Sequence, residues 1–512
     1  MSAFRYTRDT DTPGQRRMQR LLEILPGATS WTLLLTMLLL GLFKPLIAAI
    51  IVIAFNLYWF TRLAHSTIFL VISYLLLRRD RDTDWAARIS ALQGSPNAGD
   101  VYHLVIFPIA REAADIVEPG VRSLLEQDYP SARILLILAV EDRAPADIKA
   151  GLEALREKYR SHFMDLLVAY HPDGLPGEAR VKGANASYAG RAAAAWFTGR
   201  GIPFENVVAS CFDADTVVSP RYFSCLTYHF LITPDRQRAS FQPIPTYHNN
   251  IWEAPGFARV LDLGSSYFQL IEATSPDTLV TFSSHSMSFK ALVEVDYWPV
   301  DMISDDSAIF WRAYLHYASD YHVVPMYTTL SMDVVTADGW WNTMASVYKQ
   351  KRRWAWGIEN FPIVVRGFLS VPGIPFREKF FHTLKMFEGN LSWATWGFML
   401  TILNWLPALF AGREFSSSVM YFSAPRISGI IFNLAGLALI ITIGISMLFL
   451  PRPTSRRPIL RRLLHALEWP LVPIITLFFS AIPALDAQTR LMLGKRMEFW
   501  VAGKGGGKKH LR

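Results

Sequence analysis

The chain has 512 residues, 51% of them hydrophobic and only 18% charged, with a formal net charge of +8 at pH 7. Its mean hydropathy of +0.20 is high for a wholly soluble protein and is concentrated in a few long runs. With only Cys211 and Cys225 there is no basis for a disulfide framework or a zinc site. The cations cluster beside the apolar runs, so the basic balance needs no nucleic-acid partner to explain it.

Residues 1–30 carry Arg5, Arg8, Arg16, Arg17 and Arg20 and read as a basic cytoplasmic N-terminus. From Trp31 to Leu77 the chain is nearly continuous in Leu, Ile, Val, Phe and Ala, broken at Lys44-Pro45 and marked again at Arg62 and His65. A bilayer core needs ~20 apolar residues per helix, so residues 31–77 have room for two transmembrane helices. The run is too long and starts too late for a signal peptide. After a polar middle, residues 391–485 hold about three further apolar segments, Leu391 to Phe410, Ile427 to Leu450 and Leu464 to Pro483. Arg452, Arg456, Arg457, Arg461 and Arg462 place the loop before the last segment on the cytoplasmic side. Lys495, Arg496, Lys504, Lys508, Lys509 and Arg512 place the tail, residues 486–512, there too. A fifth full crossing would put that tail outside. Pro470 and Pro473 therefore mark the last run as a re-entrant or interfacial segment. This describes a multi-pass protein of the plasma (inner) membrane with its polar middle in the cytoplasm.

Within residues 98–345 the texture changes. HLVIFPIA (His103 to Ala110), ARILLILAV (Ala132 to Val140) and NVVASCF (Asn206 to Phe212) read as buried parallel strands, being continuously apolar rather than alternating. An amphipathic segment, Ile116 to Glu126, separates the first two, which makes a βαβ unit of a doubly wound α/β sheet. Ligands of such sheets bind beyond the carboxyl ends of the strands. Those ends are acidic here: the second strand runs into Glu141-Asp142 and the third into Asp213-Ala214-Asp215. One Asp-x-Asp can simply cap a turn. Carboxylates spaced across one residue can also aim oxygens at a hard cation, Mg²⁺ or Mn²⁺, which leaves positions open for substrate phosphates.

These residues resemble a family. SLLEQDYP (Ser123 to Pro130), KGANASYA (Lys182 to Ala189), Asp213-Ala214-Asp215, Ser304-Asp305-Asp306 and Gln350-Lys351-Arg352-Arg353-Trp354 occur in the order seen in membrane-embedded family 2 glycosyltransferases, the group of cellulose synthase and hyaluronan synthase. Two departures stand out. Ser-Asp-Asp replaces the usual Thr-Glu-Asp, and the first acidic site is Glu-Asp. The resemblance implies a GT-A-like mixed-sheet domain inserted between transmembrane helices. It implies transfer of a sugar with inversion, from a nucleotide-diphosphate sugar, a UDP-sugar favoured, to a growing glycan or lipid-linked acceptor. It also implies Mg²⁺ or Mn²⁺, membrane lipids around the spans, no nucleic acid, and processive synthesis through Q-x-x-R-W.

The chemistry assigns parts to residues. An acceptor hydroxyl needs a positioned base, and a departing diphosphate needs cations or fixed donors. The pattern after Asp306 is helical, which puts Asp305 and Asp306 at a helix start where the macrodipole favours ionised carboxylate, so Asp306 is the base. Simple helix capping is the competing reading. By the resemblance, Asp215 is the metal ligand, and Asp213, Lys182, Glu141 and Asp142 are on the nucleotide sugar. Arg352 or Arg353 can contact the diphosphate, and the match to the family motif points to Arg353. Gln350 and Trp354 form the acceptor subsite, with the indole stacked on a sugar face. A membrane-anchor role competes for the Trp-Arg cluster, and residues 346–375 continue into an interfacial helix. His285, His248 to Asn250 and Trp340-Trp341 read as core, loop or packing residues. A membrane transporter with a large cytosolic domain is the alternative class.

Overall fold

The computed structural model describes residues 4–10, 12–92, 98–410, 412–453 and 458–497. Arg456 and Arg457 of the basic loop, and Lys504, Lys508, Lys509 and Arg512 of the tail, lie outside the described residues. Helix α1 (Pro13–Phe43) and helix α2 (Pro45–Asp82) are separated only by Lys44. Thr12 caps α1 by accepting from the Gln15 amide, and a proline opens each helix, where a missing N–H costs nothing. The first helix thus begins well before Trp31, and Arg16, Arg17 and Arg20 lie on it rather than in a separate basic segment. Arg8 and Arg20 pair with the buried Glu23. At 38 residues α2 is about 57 Å long, more than a bilayer core requires. Its Leu70 and Leu77 belong to the core of the polar domain, so the C-terminal half of α2 runs along that domain.

The polar domain is a mixed α/β sheet. In chain order it comprises β1 (Tyr102–Ile109), α3 (Ala114–Leu125), β2 (Ile134–Glu141), β3 (Asp165–His171), α4 (Lys182–Thr198), β4 (Val207–Cys211), β5 (Val217–Val218), β6 (Ala239–Thr246), α5 (Gly256–Glu272), β7 (Ser286–Ser288), α6 (Asp305–His316) and β8 (His322–Ser331). The strands are arranged 3-2-1-4-7-6-8-5. β1 is parallel to β2 and β4, β2 is parallel to β3, and β7 runs antiparallel to both β4 and β6. Alternate residues supply two cores: Val105, Phe107, Leu136 and Leu138 pack against α3 on one face, and Leu104, Ile106, Leu135 and Ile137 against α4 on the other. Burial on both faces is why these strands are mostly apolar.

Next come α7 (Trp340–Ala355), α8 (Asn360–Ser370), α9 (Phe376–Thr401) and α10 (Val419–Phe449). Among the described residues four helices are long and apolar enough to cross a membrane: α1, α2, α10 and the segment Ile459–Met492. The last of these stays beside the polar domain along its length. Arg461 bonds the Trp252 carbonyl, Arg259 pairs with Glu468 at 2.5 Å, Phe479 stacks on Phe257 at 5.0 Å, and Asp486 meets Arg352 at 2.9 Å. Helix α9, more polar, starts beside the domain, where Lys385 meets Glu272 at 2.7 Å. The chain after it reaches Asn56 of α2 through Asn404 at 2.9 Å, and Leu406 fills the space over Gly41 near the far end of α1.

Candidate active site

The carboxyl ends of β1, β2 and β4 open into a cavity of about 1770 Å³ that extends between α5, α6, α7 and α9. Eight of the residues singled out in the sequence line it: Glu141, Lys182, Asp213, Asp215, Asp306, Gln350, Arg353 and Trp354. The structure separates the ninth. Asp142 follows the end of β2 and turns outward to Lys149 at 2.7 Å with its side chain 60% exposed, so of the Glu141-Asp142 pair only Glu141 faces the cavity. Burial raises the Glu141 carboxyl above its ordinary range, partly opposed by Arg143 and His171.

Asp306 is the second residue of α6, in the first turn as the helical pattern required. Lys182 opens α4, and its ammonium lies 2.9 Å from Asp306 Oδ1 and 2.9 Å from Asp213 Oδ1. Burial works against the lysine charge, but Asp213 and then Asp306 overcome it and hold Lys182 well above its usual pKa. The close meeting of the two helix starts depends on Gly183. A Cβ there would sit 2.4 Å from the Pro299 carbonyl oxygen and 3.0 Å from the Asp305 Cβ. Asp305 is buried, and desolvation followed by the charge of Asp306 pushes its carboxyl well above the ordinary range.

Asp213 accepts from the Ser283 hydroxyl at 2.7 Å, and Asp215 from the Asp333 amide at 2.8 Å. Asp333 also lines the cavity. This donor set is all carboxylate, which suits Mg²⁺ or Mn²⁺. Among the described residues no group of three His, Cys, Asp or Glu side chains converges on one point. A cation would therefore take one or two ligands from the chain and the rest from phosphate and water, the usual habit of Mg²⁺.

The cationic run on α7 divides. Lys351 is buried in an ion pair with Asp262 at 2.6 Å, and Arg352 pairs with Asp486, while Arg353 lines the cavity. Trp354 is half-buried, with its ring 6.0 Å from that of Tyr247 and 3.8 Å from the Lys351 ammonium, which fixes the indole plane at the cavity wall. His285 is a core residue whose Nδ1 lies 2.9 Å from the Phe282 carbonyl. His248 is partly buried, its ring 5.0 Å from that of Phe449. Trp340 and Trp341, read as core or interface packing, are 52% and 75% exposed, which excludes core burial, and Trp340 meets the Phe257 ring at 5.9 Å. Sequence reasoning missed Glu359, Asn360, Asp333 and the lining residues of α9, among them Glu388, Trp393 and Trp396. The only signal for Glu359 was its place shortly after Q-x-x-R-W.

Residues 210–450 match the family model described as Glycosyl transferase family group 2. The match contains Asp213 to Asp215, Ser304 to Asp306 and Gln350 to Trp354, and it leaves Glu141 and Lys182 outside. Comparison with curated proteins gives no match. Among solved structures, the chain is similar to the mannosyltransferase PcManGT from Pyrobaculum calidifontis in complex with GDP-Man and Mn²⁺, at 14% identity, 75% of this chain, 98% of that chain and a TM-score of 0.43. It is also similar to S. aureus TarS 1-349, at 13% identity, 77% of this chain, 92% of that chain and a TM-score of 0.35. The UDP-GlcNAc complex of TarS 1-349 gives 12% identity, 77% and 93% coverage and a TM-score of 0.35.

Proposed function

We propose that this protein transfers a sugar from a nucleotide-diphosphate sugar, favouring a UDP-sugar, to an acceptor hydroxyl by a single inverting displacement at a membrane surface. The observation that carries the reading is one cavity wall holding Asp306, Lys182, Asp213, Asp215 and Arg353, with Trp354 beside them. Asp306 takes the acceptor proton as the hydroxyl attacks the anomeric carbon. Lys182, Arg353 and the facing starts of α4 and α6 offset the charge gathered by the leaving diphosphate. Asp215 would hold Mg²⁺ or Mn²⁺, which neutralises phosphate charge when bound, with Asp213 beside it on the nucleotide sugar. Glu141 meets the nucleotide, and Gln350 and Trp354 receive the acceptor.

Trp393 and Trp396 of α9 also line the cavity, both partly exposed. Partly exposed indoles in the same cavity as Trp354 suit further sugar rings and favour a growing glycan, extended processively, over a single addition to a lipid-linked acceptor. We further propose that α1, α2, α9 with the short turns after it, and α10 cross the membrane, while Ile459–Met492 lies along the polar domain. This even count leaves the domain and both ends on the cytoplasmic face of the inner membrane, in keeping with the basic flanks. Product sizing after a short pulse with excess donor tests the polymer reading. Long chains beside unused acceptor support it, one sugar per acceptor refutes it, and Trp354→Ala should shorten chains more than it slows donor consumption.

A further inference from the structure

Glu359 lies just beyond α7, buried at the cavity wall, with both carboxylate oxygens taken up by the chain itself. Its Oε1 accepts from the amides of Ile303 and Ser304 at 3.0 Å each and from the Ser304 hydroxyl at 2.8 Å, and its Oε2 accepts from the Trp356 indole at 2.8 Å. Ser304 is the N-cap of α6, two residues before Asp306, yet its hydroxyl makes no capping bond to its own helix and donates to Glu359 instead. Asn360 reinforces the same junction, donating to the hydroxyls of Ser304 and Ser307 at 3.1 and 3.0 Å and accepting from the Tyr6 hydroxyl at 2.7 Å. A buried carboxylate is costly unless its oxygens are bonded, and here both are. Burial raises its pKa, while the bonds from Ser304, Trp356 and Ile303 oppose that shift.

We infer that Glu359 is a positioning residue for the transfer reaction. It ties the segment that presents Trp354 to the start of α6 and so sets where the Asp306 carboxylate stands relative to the acceptor hydroxyl. The inference rests on the proposed role of Asp306 as base. A fixed peptide at Ile303-Ser304 determines where the first turn of α6 begins, and Asp306 is in that turn. Displacing a reacting group by about 1 Å can cost roughly a hundredfold in rate, so losing this anchor should act on turnover rather than on donor affinity.

The test uses full-length protein in detergent or lipid nanodiscs, with the separate substitutions Glu359→Gln, Ser304→Ala, Ser304→Thr and Asp306→Asn. Glutamine presents an amide donor to one of the groups that Glu359 accepts from. Ser304→Ala removes a single hydroxyl and keeps the fold testable if Glu359→Gln does not accumulate. The expected result is a roughly tenfold or greater fall in kcat for transfer in Glu359→Gln and Ser304→Ala, with the donor KM within about twofold, and recovery in Ser304→Thr. Unchanged kcat per folded enzyme in Ser304→Ala, with only a lower Tm, would overturn the inference while Asp306→Asn remained inactive. Transfer surviving in Asp306→Asn would instead remove the reading on which it rests.

Discussion

The Lys182 ammonium stands 2.9 Å from a carboxylate oxygen of Asp213 and 2.9 Å from one of Asp306, joining the Asp-x-Asp turn to the start of α6. One cation thus balances a carboxylate from the turn after the central strand β4 and one from the first turn of α6, both in the cavity wall. Charge-assisted bonds are worth about 1.5–3 kcal/mol, so Lys182→Met should weaken donor binding by roughly tenfold or more. Titration of the nucleoside diphosphate against wild type and variant by calorimetry checks this. Equal affinities would detach Lys182 from the donor site.

Asp215→Ala should abolish the stimulation by Mn²⁺ or Mg²⁺ and raise the donor KM. Asp215 is held by the Asp333 amide at 2.8 Å, so its orientation is fixed before any ligand arrives. The same dependence on added cation in wild type and variant would show that this carboxylate is purely structural.

The buried pair of Lys351 and Asp262 predicts a stability effect separate from chemistry. Lys351→Met leaves Asp262 without its partner in the core and should cost about 3–5 kcal/mol, whereas the double variant Lys351→Met/Asp262→Leu should recover much of the loss. Thermal unfolding of the two proteins in the same detergent measures this. Because Lys351 also backs the Trp354 ring, the double variant should still bind acceptor less well.

Sequence patterns exposed some of this architecture and concealed the rest for physical reasons. β1, β2 and β4 were legible because both faces are covered and most positions are apolar. β3 was not, because DLLVAYH is only half covered. β6 carries two prolines and a register shift, and β7 has only three residues. The start of α1 had its Thr-Pro signature, but the arginines after it masked the helix. Of the cavity residues, the Asp-x-Asp was legible from its place after a strand and Asp306 from the helical pattern that follows it, whereas Lys182 was legible only through the resemblance. The division of the cationic run was not, since Lys351 finds its carboxylate 89 positions away and Arg352 finds one 134 positions away. The role of Glu359 depends on backbone amides at Ile303 and Ser304, which no side-chain pattern reveals.

The most direct test compares wild type with Asp306→Asn for nucleoside-diphosphate release from UDP-glucose, UDP-N-acetylglucosamine, UDP-galactose and GDP-mannose, with acceptor and Mn²⁺ or Mg²⁺ present. The account predicts release from one donor, a UDP-sugar, by wild type. It predicts loss of release in Asp306→Asn with donor affinity kept within a few fold, because the substitution removes the base and leaves the diphosphate contacts in place. No release from any donor, or release undiminished in Asp306→Asn, would contradict it.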